Sequence, residues 1–82
     1  MDTNINFTIT RADKKYMIIL ENHLNISKRL KAQYNINDNI LLPLYNRLNN
    51  LFINGISESI TLTKEELTEC EKVLKVIYRN EA

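Results

Sequence analysis

One glycine, one proline, one cysteine, one histidine and no tryptophan are spread over 82 residues. A single glycine, Gly55, excludes the glycine-rich loops whose backbone amides cradle phosphate. A single cysteine, Cys70, excludes an internal disulfide, and no Cys/His grouping has the spacing of metal ligands, so neither a metal nor another cofactor is expected. That usage fits a reducing compartment, and the expected location is cytoplasmic. No apolar run approaches the roughly 18–20 residues that span a bilayer, the longest being YMIIL at residues 16–20. No signal peptide precedes the first charged residues, so neither export nor membrane insertion is expected. Any membrane association would run through the soluble segment of another protein.

Charge of either sign is also scarce in excess. The formal net charge is +1, with seven Lys/Arg against three Asp/Glu in residues 11–47 (7 − 3 = +4) and four against six in residues 48–82 (4 − 6 = −2). A nucleic-acid binder needs a cation for each phosphate it neutralises, so this balance makes nucleic acid an improbable partner. What is present, 44% hydrophobic and 26% charged residues, is the composition of one soluble globular domain, residues 1–82. At this size only about 60–65% of the unfolded chain's surface can be buried.

Residues 5–10 put Ile5, Phe7 and Ile9 on one side and Asn6, Thr8 and Thr10 on the other, the period-2 pattern of a half-buried strand. Thr10 is a good N-cap with Asp13 three residues on, which starts a first helix at Arg11. Its stripe of Ala12, Tyr16, Ile19, His23, Ile26, Leu30 and Tyr34 carries it to about residue 34. The Asn/Asp-rich segment 35–39 is a turn by composition. Pro43 belongs in a first helical turn, so a second helix is expected to start between residues 39 and 42. Its stripe is Leu41, Leu44, Tyr45, Leu48, Leu51 and Phe52, and Asn54-Gly55 provides a left-handed stop. Residues 57–63 repeat the opening alternation, Thr63 and Glu66 form a capping box, and Leu62 with Leu67 has the spacing of a hydrophobic staple. The third helix runs to about Arg79 with Leu67, Cys70, Val73, Leu74 and Ile77 inward and Glu65, Glu69, Lys72, Lys75 and Arg79 outward.

The fold class expected is mainly α, of the α+β kind: three helices and two short strands in the order β-α-α-β-α, with the strands paired as a small ribbon. The rival is a plain three-helix bundle. The two strand-to-helix units match at an offset of 53 residues, which we read as convergence on good capping chemistry rather than duplication.

Chemistry-bearing residues are few. His23 reads as a structural histidine on a helix stripe and Cys70 as a small hydrophobe. Glu65, Glu66, Glu69 and Glu71 read as a solvated face matched to a helix dipole, and no enzyme is expected. Residues 16–20 are apolar all round a helix, so either two neighbouring elements of the chain cover them or part of the run is a contact surface; the second reading nominates Tyr16, Met17 and Ile18, with the amphipathic Tyr34 and Tyr45, as a protein-interaction surface and the chain as a homodimer. Lys28, Arg29 and Lys31 are the one basic knot, a candidate contact for an acidic partner at a helix C-terminal end. A helix-turn-helix reading fails because YNINDNILLPL puts an apolar, proline-containing turn where a recognition helix presents polar side chains.

The LTKEEL strand-to-helix grammar within residues 59–74, the small size and the Asn/Ile/Lys-rich composition resemble small accessory proteins encoded by bacteriophages. In size and soluble character the chain is similar to the cytoplasmic lysis-inhibition accessory proteins of T-even phages, which act on a holin. The resemblance implies a non-enzymatic regulator, of antiholin type, that works by binding another protein. The alternative is a nucleic-acid-associated transcriptional or defence-related regulator using Lys28, Arg29 and Lys31.

Overall fold

The two Thr-rich segments meet each other. In the computed structural model, which describes residues 6–79, β1 (Asn6–Thr10) and β2 (Ser59–Thr63) form a two-stranded antiparallel sheet. Its register pairs Phe7 with Leu62, Thr8 with Thr61, Ile9 with Ile60 and Thr10 with Ser59. Ile9, Ile60 and Leu62 are buried on one face, while Thr8, Thr10, Ser59, Thr61 and Thr63 are exposed on the other. Matched alternation in both strands lets the ribbon bury a single face. Ile5, assigned to the first strand from its phase, lies outside the described residues.

The helices are α1 (Lys14–Asn22), α2 (Lys28–Gln33), α3 (Asp38–Phe52) and α4 (Lys64–Tyr78), with a 3₁₀ turn at His23–Asn25. Counting the helices of seven or more residues, the order is β-α-α-β-α, and the paired strands exclude the plain bundle. Three boundaries differ from expectation. Thr10 does not cap α1; its N–H donates to the Asp13 carboxylate (2.8 Å) and its carbonyl accepts from the Asp13 N–H (2.9 Å). This closed turn delays the helix to Lys14. The first helix also fails to run to residue 34. Ser27 opens a new helix by accepting the Leu30 N–H on its hydroxyl (3.2 Å), and the intervening asparagines favour non-helical backbone. Finally, Asn37 caps α3 by accepting the Asn39 N–H (2.9 Å), which starts the helix at Asp38 and leaves Pro43 in the second turn. The missing proline N–H deprives the Asn39 carbonyl of its intrahelical donor.

Two local features stand as read. Thr63 and Glu66 form the capping box of α4, and Gly55 closes α3 at φ +65°, a backbone region that other residues enter at a cost. Asn35 is left-handed too, at φ 58°. The core lies between the apolar face of the ribbon and α1, α3 and α4, which pack on one another. Ile19, Leu41, Leu44, Leu48, Leu51, Leu62, Cys70 and Val76 are all at 0% exposure in it.

Candidate interaction surface

The oily run of α1 is better covered than a lone helix would allow. Tyr16 is 3% exposed and Ile19 fully enclosed, Leu20 packs half-buried against the core, and Met17 and Ile18 are half-buried. Tyr45 is also a core residue, and Tyr34 is half-buried against the core. Of the five residues nominated for protein contact, Tyr16 and Tyr45 therefore present almost no surface. The break after α1 accounts for this: turning the chain at residues 23–27 lets Ile26 and Leu30 reach the core and sets α1 across α3 and α4.

The large apolar side chains that do face solvent lie elsewhere. Leu24 is 85% exposed, Ile56 74%, Ile53 65%, Tyr78 65% and Leu42 61%. Leu24 sits in the 3₁₀ turn and Leu42 on α3, and the two elements are joined by His23 stacked on Tyr45, ring centroids 3.8 Å apart. Leu42 lies one turn before Tyr45 on α3. Ile53 and Ile56 flank the Gly55 turn. These residues fall off the helical stripes, and that is the only trace of them in the sequence.

The basic knot is divided. Lys31 Nζ pairs with Asp38 Oδ2 at 3.0 Å, which leaves Lys28 and Arg29 exposed in the first turn of α2. They stand at the positive end of that helix, where the dipole disfavours cations, and not at the C-terminal end expected. The glutamates are divided as well. Glu65 and Glu71 are exposed, and Glu66 accepts the Thr63 N–H and pairs with Arg47. Glu69 was expected outward and is buried at 6%. It accepts the Asn37 N–H (2.8 Å) and pairs with Lys72 (2.8 Å), whose ammonium also donates to the Asn35 carbonyl (2.9 Å). This clamp ties α4 to the left-handed turn that starts α3.

Cys70 is enclosed, and burial, reinforced by Glu66 and Glu69, pushes its thiol up to about 12; at neutral pH it is a protonated small hydrophobe. His23 titrates below its ordinary value, chiefly because it is buried and secondarily because of Lys31, with Asp38 opposing. A histidine whose folded pKa is depressed contributes stability that is fully present above its unfolded pKa near 6.5 and is lost as pH falls through the folded value. The melting temperature should therefore drop on acidification below about pH 6.5. His23→Phe, which keeps a ring on Tyr45 and removes the proton site, should flatten that part of the profile in thermal melts; an unchanged slope would assign it to the carboxylates.

Among the described residues no group of three or more His, Cys, Asp and Glu could hold a metal ion, and no helix is long and apolar enough to cross a membrane. An open depression at the end of α4 is lined by Glu71, Leu74, Lys75 and Tyr78 of that helix and by Arg79, which follows it. No protein-family model, curated protein or solved structure matches this chain.

Proposed function

We propose that this protein is a non-enzymatic regulator that acts by binding another protein and is itself a dimer. The observation that supports the reading is the exposure of Leu24, Leu42, Ile53 and Ile56 on a domain whose core is otherwise closed. Burying apolar area of this kind is a main source of affinity in protein association. Leu24, next to His23 in the 3₁₀ turn, and Leu42, on the helix that carries the stacking partner Tyr45, are the exposed positions to which we assign the partner. An accessory protein of the phage type that the sequence resembles, including one with a lysis-inhibition role, would use such positions on a phage or host protein.

The double variant Leu24→Ser/Leu42→Ser changes only exposed positions and should leave the melting temperature nearly unchanged, since such surface changes fall within about 0.5 kcal/mol. Affinity capture from the native host should recover a protein with the wild type that the folded double variant loses at least about tenfold, or about 1.4 kcal/mol. Identical recovery by both would remove the two leucines from the reading.

A further inference from the structure

The ribbon has two outer edges, and the chain closes only part of each. In an antiparallel pair, residues alternate between those that bond across to the partner strand and those whose N–H and C=O point away from it. Four contacts place the Thr residues in the outward class. The Thr10 N–H and C=O are taken by Asp13, the Thr63 N–H by Glu66, and the Thr61 carbonyl by Arg47 (2.8 Å). Ile9 with Ile60 and Phe7 with Leu62 are then the pairs that bond across the ribbon, and Asn6 and Thr8 present their backbone groups outward.

Along β2 the Arg47 side chain and the capping box lie over the outer edge. Along β1 the Asp13 turn closes only the Thr10 end. At Thr8 no described residue supplies a partner for the outward N–H and C=O. An uncharged strand with open edge groups and no Lys, Pro or bulge is a template for another strand. Phe7 marks the same place from the side: it belongs to the buried face of the ribbon yet is 39% exposed, while its partner Leu62 is at 0%.

We infer that β1 pairs antiparallel with β1 of a second copy, about a two-fold axis at Phe7, to make a four-stranded sheet in the order β2-β1-β1-β2. This rests on the dimeric part of the proposed function and names its surface. The register follows from the groups that are open. Asn6 faces Thr8 of the partner copy and Thr8 faces Asn6, so both outward pairs exchange N–H and C=O, and Thr10, already closed by Asp13, is not required. Phe7 meets its own copy in the closely spaced, non-bonded position, with Cα atoms about 4.5 Å apart, on the face where both are half-uncovered. A second copy fits better than a charged or irregular peptide because the open stretch is neutral and self-complementary about its central residue. A register centred on Thr8 would set Asn6 against the occupied Thr10.

The test is a cysteine scan combined with light scattering up to millimolar concentration. The wild type should weigh twice its 9.7 kDa monomer. Phe7→Cys should oxidise to a covalent dimer, because closely spaced antiparallel partners lie within disulfide reach; wild-type Cys70, enclosed, should not. Thr8→Cys should cross-link poorly. Thr8→Pro removes an N–H that the ribbon itself does not use, is tolerated on an edge strand, and should give a folded monomer. A wild type that stays monomeric overturns both the pairing and the dimeric part of the proposed function, and leaves the assignment of the partner to Leu24 and Leu42 standing. A wild-type dimer in which Phe7→Cys fails to cross-link, or in which Thr8→Cys cross-links better, overturns this pairing alone.

Discussion

Leu48→Ala should lower the unfolding free energy by about 3 kcal/mol, within the roughly 2–5 kcal/mol range of fully buried Leu→Ala changes. Leu48 is at 0% exposure in the middle of α3, the helix that packs on α1, α4 and β2. The loss has two parts, the transfer of the removed methyls and the cavity left behind, and with three neighbouring elements around it the site can collapse only partly. A domain of 82 residues typically has about 4–12 kcal/mol in total, so this one change takes a large share. Urea denaturation should show a lower midpoint with an unchanged slope. Leu42→Ala, on the same helix at 61% exposure, should move the midpoint little. A Leu48→Ala loss below about 1 kcal/mol would place the centre of the core elsewhere.

Glu69→Ala should cost about 1–2 kcal/mol, a large effect for a residue whose sequence context reads as solvent-facing. The change leaves the Asn37 N–H without its acceptor at the cap of α3 and strips Lys72 of its partner. The lost hydrogen bond from the Asn37 N–H to the carboxylate is the larger part, and because Asn37 is exposed, water replaces some of it. The ion-pair part is smaller because the Lys72 side chain keeps 26% of its exposure and solvent screens it. Glu69→Gln retains an acceptor oxygen and should recover about half of the loss. Thermal melts should rank wild type above Gln above Ala, and amide exchange at Asn37 should speed up most in the Ala variant. Equal melting temperatures in all three would mean that the clamp contributes nothing to holding α4 against the turn.

How far the sequence could be read depended on how local the deciding physics was. The capping box at Thr63, the left-handed stop at Gly55 and the alternation of the two strands are settled within a few residues, and all three are found as read. The end of the first helix was legible in principle, because Ser27 is a good N-cap in its own right. The unbroken stripe from Tyr16 through Ile26 to Leu30 outweighed it in the sequence reading. The same stripe explains why residues 16–20 looked over-supplied with apolar surface: in a straight helix those side chains point all round, whereas a helix ending at Asn22 can be wedged between α3 and α4. The exposed leucines and isoleucines left almost no signal, because an apolar residue off a stripe is ordinary in any single chain.

The sequence by itself determined the two strands, the order of the longer helices around them and which strand face is oily, because side-chain period, capping and left-handed backbone act over one to four residues. Only the tertiary structure decided that Glu69 would be enclosed, that Lys31 would be neutralised by Asp38, that α3 and α4 would take up the surface of α1, and that Arg47 and Asp13 would shield parts of the ribbon while the edge at Thr8 stayed open. Lys31–Asp38 spans seven residues, Glu69–Asn37 thirty-two and Arg47–Thr61 fourteen. Contacts between separate elements depend on how those elements are set against one another, which no local pattern encodes.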